Sequence, residues 1–356
     1  MMMIEGLNKV LEGSGLPGLS ELRELLQELV GGRDGAGCFI GQDALQPRGH
    51  RVFRLRFGVK GQTRSVVIKR LKPNIARRSE LVANRWLPAV GLSESGPPLL
   101  GSIAARSGGC VWHVYEDLGH GELDPREPDR EGVQAAVQLI AQMHTRFARH
   151  PLLGEVRLHG GDLGIHFYEA NVRDAVYALE ALNPAAQHEA LRNRLLERLH
   201  KLRDEVPQRA DALAKTGGPE TLLHGDLWAT NVFALPTNNG LRARLIDWDH
   251  AAVGPASYDL SFFLLRFPVE HRSWILELYR QAVACAGWDL PGERELNLLF
   301  ETHEYARFAN RLIWPAVAVV MDQAGWGFEG LAEVERWFER FEPVLPVGAG
   351  LAVGGG

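Results

Sequence analysis

The stretch "TLLHGDLWATNVFALPTNNGLRARLIDWD", residues 221–249, decides the fold that this sequence predicts. Its apolar runs "NVFAL" and "ARLIDW" flank the turn-forming letters "PTNNG", a pattern typical of a β-hairpin. Asp226 and Asn231 precede the first strand, and Asp247 and Asp249 follow the second. Pairing of the two strands therefore predicts that Asp226, Asn231 and Asp247 meet at the same end of the hairpin.

These oxygen-bearing side chains predict a cation site with a base beside it. A cluster of carboxylates is unfavourable unless a positive charge fills it. An Asp and an Asn with room left for water suit Mg²⁺ that is bound together with phosphate. Asp226 is then free to act as a base. A metal site for phosphate with a base beside it predicts phosphoryl transfer as the reaction.

The chain ahead of this stretch predicts a small antiparallel sheet with one helix. "RVFRLRFG" alternates in polarity, "GVKGQ" supplies a turn, and "SVVIKRL" forms a second strand that ends in Lys69. "RRSELVANRWLPAV" predicts a helix, and "CVWHVYEDLG" predicts a strand that closes at Gly119. An amphipathic helix over "LSELRELLQELV", with Ser20 as its N-cap, comes before this unit.

The second part of the chain predicts mainly helix, with the hairpin as its strand-like interruption. Helical periodicity recurs over residues 133–147, 165–180, 186–214, 270–286, 293–322 and 328–341. Five tryptophans of this part are expected in the core, namely Trp274, Trp288, Trp314, Trp326 and Trp337. We predict a helical extension over 1–34, a nucleotide-binding lobe over 35–117, a catalytic and substrate lobe over 118–345, and a flexible Gly-rich tail over 346–356.

Composition narrows the class of protein. The 356 residues carry a formal net charge of −5 with both signs interspersed, which argues against a nucleic-acid-binding surface. The 3 cysteines are far apart, so no disulfide framework or thiolate metal site is indicated. The apolar runs are too short to cross a membrane, and we expect a cytoplasmic protein, either a monomer or a homodimer.

The motifs "HGDLWATN" and "LIDWD" resemble the phosphotransferase signature of the aminoglycoside phosphotransferase and choline kinase family. "VVIKR" resembles the strand that bears the nucleotide lysine, Glu80 falls where its partner glutamate belongs, and "VYEDLG" resembles the hinge between lobes. The resemblance implies an α+β, bilobal, protein-kinase-like fold. Its N-lobe is a small antiparallel sheet with one helix, and its C-lobe is mainly helical and carries the hairpin.

The resemblance also implies roles for individual residues. Asp226 accepts or orients the proton of the substrate hydroxyl. Lys69, fixed by Glu80, binds the α- and β-phosphates of ATP or GTP, and the main chain near Glu116 receives the adenine. The remaining implied positions are Gly49 in the phosphate loop, Asn231 and Asp247 as ligands of Mg²⁺, Asp249 as a further metal ligand, and His224 and Asp259 as supports of the catalytic loop.

The acceptor is predicted only as a class. Gly225 and Asp249 stand where protein kinases carry an arginine and a glycine, which favours hydroxyls of metabolites or antibiotics, such as aminoglycosides and amino sugars, over protein substrates. Glu301, Glu304 and Tyr305 are candidate acceptor contacts, although a solvated helix face explains the same residues. The alternative function is a catalytically silent nucleotide-binding module. A third possibility, a binuclear metal phosphoesterase, would need further His and Asp ligand motifs, and the sequence does not contain them.

Overall fold

The computed structural model describes residues 16–31, 38–45 and 51–346, and these form two compact units. Unit 1 contains the residues up to Leu123 together with Asn231–Ala251. Unit 2 contains Asp124–Thr230 and the residues from Ala252 onward. By its contacts, the hairpin over 232–245 belongs to unit 1. The lobe boundaries at 117 and 345 stay a prediction, and most of the predicted tail and part of the predicted extension lie outside the described residues.

The sheet of unit 1 has 5 antiparallel strands in the order β1-β2-β3-β5-β4. They are β1 (Cys38–Ala44), β2 (Val52–Val59), β3 (Gln62–Leu71), β4 (Leu99–Ala104) and β5 (Val111–Glu116). The predicted turn between β2 and β3 is confirmed, since Lys60 and Gly61 both take positive φ angles of 50° and 76°. That combination matches the twist of the flanking strands. Alternation in β2 buries Phe53, Leu55 and Phe57 on one face.

Helix α1 (Leu19–Gly31) covers this sheet. Leu22 and Leu26 are fully buried in the core that α1 shares with the sheet. Gly101 of β4 allows the close approach, because a Cβ there would lie 2.8 Å from Leu25 Cδ1. The predicted N-cap is wrong: the helix begins at Leu19, so Ser20 lies inside it and donates to Glu21 at 2.7 Å.

Helix α2 (Pro73–Leu81) begins after Lys72 and continues through a π-helical turn, Val82–Trp86, as far as Ala89. It contacts the short turn Trp248–His250 that follows the hairpin. The Arg78 guanidinium donates to the carbonyl of Asp249 at 2.5 Å. The hairpin itself joins β7 (Val232–Thr237) to β8 (Gly240–Leu245) through Asn238 and Asn239, as the sequence predicts.

Unit 2 is mainly helical, as predicted. Its helices are α3 (Arg130–Phe147), α4 (Leu153–Gly160), α5 (Ile165–Glu180), α6 (Ala186–Asp204), α7 (Val206–Thr216), α8 (Ser257–Leu264), α9 (Val269–Ala284), α10 (Glu293–Asp322) and α11 (Trp326–Arg340). A two-stranded antiparallel sheet pairs β6 (Glu220–Leu223) with β9 (Ala252–Pro255). Helices α5, α6, α10 and α11 enclose a continuous apolar core.

Two expectations about unit 2 are wrong. The helix predicted over 186–214 is two helices, because Pro207 cannot donate a backbone hydrogen bond and the first helix ends ahead of it. None of the five tryptophans expected in the core is buried. Trp314, Trp326 and Trp337 have 65%, 49% and 36% of their surface exposed, and Trp274 and Trp288 are half-buried. Among the residues described, no helix is long and apolar enough to span a bilayer.

Candidate active site

In unit 1, Lys69 on β3 meets the two acidic residues that follow the hairpin. Its Nζ lies 2.5 Å from Asp247 Oδ1 and 2.6 Å from Asp249 Oδ1. Lys69 lies 178 and 180 positions before the two aspartates in the chain, and the fold brings them together. Two carboxylates that converge on one ammonium group form a site for a cation.

The hairpin holds Asp247 and Asn231 at one end, as the strand pairing predicts. Val232 pairs with Leu245, and the Asn231 carbonyl accepts the N–H of Ile246 at 2.9 Å. Asp247 adopts a left-handed backbone conformation, with φ 64° and ψ 56°. This conformation is uncommon for residues other than glycine, and residues held in it cluster at active sites and ligand-binding segments.

Charge and burial oppose each other in this cluster. Burial lowers the pKa of Lys69, but the carboxylates of Asp247 and Asp249 outweigh it, so the net pKa is raised. For Asp249, burial and the charge of Asp247 raise the pKa in spite of Lys69. Lys69 therefore stays protonated. A divalent cation would stabilise the two neighbouring carboxylates further.

The partner of Glu80 differs from the one predicted. Glu80 accepts from Ser102 Oγ at 2.7 Å and lies 3.3 Å from His113 Nε2, whereas Lys69 pairs with the two aspartates. His113 is fully buried and stands opposite Lys69 in the β3–β5 register. Its Nδ1 lies 2.9 Å from the Tyr115 hydroxyl. Burial lowers the pKa of His113, so the imidazole is favoured in its neutral form.

The segment after β5 is fixed by a residue that sequence analysis did not single out. The Asp117 carboxylate accepts from Arg54 Nη2 at 3.0 Å, from Ser65 Oγ at 2.6 Å and from the N–H of Gly119 at 3.0 Å. Burial would raise the pKa of Asp117, but these bonds lower it below the ordinary value. Glu116 ends β5 and donates its N–H to the carbonyl of Pro98 at 3.0 Å. Gly49 lies outside the described residues.

In unit 2, Asp259 of α8 fixes the loop that carries Asp226. Its carboxylate accepts the N–H groups of His224 at 2.7 Å and of Gly225 at 2.9 Å. Gly225 has φ 82°, a conformation that explains a glycine immediately before Asp226. His224 is buried, and its Nδ1 accepts the N–H of Asp226 at 3.4 Å.

A buried histidine completes the support of this loop. His144 of α3 places Nε2 3.4 Å from Asp259 Oδ2 and Nδ1 2.8 Å from the Tyr279 hydroxyl. Burial would raise the pKa of Asp259, but the hydrogen bond and charge of His144, with the N–H of Gly225, outweigh it and lower the pKa. Asp259 is therefore a charged acceptor inside the protein.

Trp228 orients the carboxylate of Asp226. Its indole Nε1–H donates to Asp226 Oδ1 at 2.8 Å, and its ring stands edge-on to Phe262. The Arg266 guanidinium lies 3.6 Å above the same indole ring. Neither Trp228 nor Arg266 was predicted as a site residue, because a tryptophan two positions after an aspartate has no motif value without the folded loop.

The candidate acceptor residues on α10 fall into two places. Glu304 is buried and accepts from Ser261 Oγ at 2.9 Å and from Arg307. Glu301 and Tyr305 instead line a cavity of about 560 Å³ in unit 2. There the buried Arg209 donates to Glu301 at 3.2 Å, so the cavity wall is mixed in charge.

The residues of unit 1 fit a divalent metal. Asp247 and Asp249 each direct a carboxylate oxygen at Lys69 Nζ. Asn231 lies at the same end of the hairpin, where its carbonyl accepts the N–H of Ile246. Carboxylate and amide oxygens are hard ligands of the kind that Mg²⁺ binds when phosphates complete its shell. Within the described ranges, no group of three or more His, Cys, Asp or Glu side chains forms a metal cage on its own.

Comparison with known proteins identifies a family and a fold. Residues 83–299 match the model of the phosphotransferase enzyme family, APH. Among solved structures, spectinomycin phosphotransferase APH(9)-Ia, in complex with ADP and spectinomycin, aligns with TM-score 0.54 and 14% identity over 92% of this chain and 95% of that one. Choline kinase LicA from Streptococcus pneumoniae aligns with TM-score 0.52 and 14% identity, over 90% of this chain and 99% of that one.

Macrolide 2'-phosphotransferase MphH from Brachybacterium faecium aligns with TM-score 0.50 and 17% identity, covering 88% of this chain and 96% of that one. Comparison with curated protein sequences gives no significant match. At these identities the structural matches show the fold, and they confirm the predicted protein-kinase-like architecture. The family match covers more than half of the sequence, and the chain therefore belongs to the phosphotransferase enzyme family, as an ATP-dependent small-molecule kinase.

Proposed function

We propose that this kinase transfers the γ-phosphoryl group of ATP to a hydroxyl group of a small molecule. The observation that carries the proposal is the pair of preorganised carboxylate sites. Asp226 is oriented by Trp228 on a loop that Asp259 fixes, and Asp247 and Asp249 converge on Lys69. Phosphoryl transfer needs positioning and charge neutralisation rather than covalent chemistry from the protein.

In the proposed reaction, the acceptor oxygen forms a bond to the γ-phosphorus while the bond from that phosphorus to ADP breaks. Asp226 accepts or orients the hydroxyl proton. The hydrogen bond from Trp228 that fixes its carboxylate supports this role. Lys69 binds the α- and β-phosphates, and Asn231, Asp247 and Asp249 would hold Mg²⁺. The metal, when bound, neutralises charge on the phosphates.

The acceptor and the choice between ATP and GTP belong to the same proposal. The aligned structures carry names that refer to spectinomycin, choline and macrolides, and each name describes that protein only. We propose an antibiotic, an amino sugar or a related metabolite as acceptor. Glu301 and Tyr305 stay candidate acceptor residues, because they line a cavity in the unit that carries Asp226.

The test is a coupled ADP assay with ATP or GTP and Mg²⁺ across aminoglycosides, macrolides, amino sugars, sugars and amino alcohols. We expect Asp226→Asn to lower kcat by about 10² to 10⁴ on the accepted substrate, because a positioned base is lost. The control is Asp211→Asn, because Asp211 is an exposed residue of α7 that pairs with Lys215. Nucleotide binding without ADP release on any acceptor would instead support the catalytically silent module. Full activity of Asp226→Asn would remove the assigned base.

A further inference from the structure

Arg266 lies immediately beyond helix α8, held on an aromatic surface. Its guanidinium carbon is 3.6 Å from the centroid of the Trp228 ring and 4.5 Å from that of Phe262. The two rings are perpendicular, with centroids 5.3 Å apart. Stacking of a planar guanidinium on such faces is favourable and fixes the direction of its N–H groups.

The guanidinium of Arg266 lacks a full set of hydrogen-bonding partners within the described part of the protein. Its side chain makes no ion pair with a described residue, and its buried Nε has no hydrogen-bond acceptor there. Arg307 provides the contrast, because it also lies 4.5 Å from the Phe262 ring but is paired with Glu304 and donates to Ser261 Oγ at 3.0 Å. The Nε of both arginines lacks an acceptor among the described residues, but Arg307 has an ion-pair partner there and Arg266 has none.

Arg266 shares its aromatic support with the candidate base. The Trp228 ring that carries the guanidinium also donates its Nε1–H to Asp226 Oδ1 at 2.8 Å. Burial lowers the pKa of Arg266, Glu304 and Asp226 oppose that shift, and Arg307 reinforces it. Arginine nevertheless keeps its charge in proteins, and its fork of donors matches carboxylate and phosphate oxygens.

We propose that Arg266, stacked on Trp228 and Phe262, binds an oxyanion of the reacting molecules beside Asp226. The shared chemistry is a phosphate or carboxylate group. Its source is either an acidic group on the acceptor or the phosphoryl group as it reaches the acceptor hydroxyl. This inference rests on the proposed function and deepens it. An amine at this position would meet a like charge, which disfavours amine recognition at Arg266.

The direct test is a titration of the full chain with inorganic phosphate, without nucleotide or acceptor. Isothermal titration calorimetry measures the binding. We expect Arg266→Gln to bind phosphate at least about tenfold more weakly than wild type, and Arg266→Lys to fall between them, since lysine keeps the charge but loses the planar fork. Arg203→Gln, at an exposed arginine of the same unit, should bind as wild type does. Asp226→Asn should bind phosphate more tightly, because a repelling carboxylate beside the site is removed.

Equal phosphate affinity in wild type, Arg266→Gln and Arg266→Lys, with all proteins folded by circular dichroism, would overturn the proposal. The response to Asp226→Asn locates the bound phosphate, since a phosphate elsewhere on the protein has no reason to respond to that charge. The titration needs no turnover, so it decides the role of Arg266 even where the ADP assay finds no acceptor.

The second arm separates the two sources in the ADP assay, with acceptors matched except for an acidic group. If the oxyanion belongs to the acceptor, Arg266→Gln raises KM for the acidic compound and leaves the neutral one unchanged. If it is the phosphoryl group, Arg266→Gln lowers kcat about tenfold or more for every acceptor with little change in KM. Either result supports an oxyanion at Arg266. Unchanged kcat and KM for both compounds would contradict it.

Discussion

Replacement of Asp259 by asparagine tests how the loop before Asp226 is held. The carboxylate is fully buried and accepts the N–H groups of His224 at 2.7 Å and Gly225 at 2.9 Å. Asparagine has almost the same shape, but one of its terminal atoms donates instead of accepting. Whichever way the amide turns, one of the two backbone N–H groups faces an NH₂ group and loses its acceptor.

The magnitude follows from the contacts that change. A hydrogen bond to a charged group contributes about 1.5 to 3 kcal/mol, and Asp259→Asn removes one and converts the other to a neutral bond. The buried contact with His144 at 3.4 Å also loses its charge. We expect the free energy of unfolding to fall by about 3 to 5 kcal/mol, the range found when one partner of a buried pair is removed.

Urea unfolding followed by circular dichroism near neutral pH measures this loss, and Asp211→Asn is the matched control. Asp211 and Lys215 form an exposed pair, for which we expect a loss below about 1 kcal/mol. The lowered pKa of Asp259 gives stability that is present above the ordinary value of 3.8 and lost as pH falls toward the folded-state pKa. The difference between wild type and Asp259→Asn should therefore shrink in acid. A loss of less than about 1 kcal/mol at neutral pH would refute the argument.

Three further predictions concern single contacts. Asp247→Ala should unfold about 1 kcal/mol more easily than Asp247→Gly, because alanine is strained at φ 64°, and equal stability in urea would contradict this. Trp228→Phe keeps an aromatic ring but loses the donor to Asp226, so kcat in the ADP assay should fall about tenfold with nucleotide KM unchanged, and an unaltered kcat would remove the orienting role. Burial, aided by the charge of Arg307, lowers the pKa of His303 well below 6.5. Below pH 6.5 the unfolded chain therefore binds a proton that the folded protein does not, and wild type should lose up to about 1.4 kcal/mol of stability for each pH unit. His303→Gln should show a smaller loss in urea unfolding between about pH 7.5 and 5.5, and an identical slope would contradict the assignment.

Elements with strong periodicity were predictable from the sequence. The alternation of Phe53, Leu55 and Phe57 predicts β2, and helical spacing predicts the bounds of α10 as 293–322 in spite of Pro315. Strands β1 and β4 were missed. Each lies at an edge of the sheet with no buried residue, so neither shows the apolar alternation that marks a half-buried strand.

Contacts within the site were less predictable than its motifs. The hairpin pattern predicts Asp226, Asn231 and Asp247 as site residues, and their roles stay a prediction. Lys69 pairs with Asp247, which lies 178 residues further along the chain. Glu80, the predicted partner of Lys69, instead contacts His113. A periodicity argument assigns residues to faces of an element and does not choose between two acids near one cation.

The distribution of buried charge gives the last argument about function. Removing one partner of a buried pair is costly, so proteins rarely leave a charged group without a partner away from solvent. In unit 2, Asp259 and Arg307 follow this rule, each with several polar contacts in the protein. Arg266 does not, although it packs on the Phe262 ring as Arg307 does. The unpaired guanidinium of Arg266 therefore lowers the stability of the folded protein, whereas the neighbouring charged groups have partners. Binding of an oxyanion beside Asp226 during turnover would remove this cost.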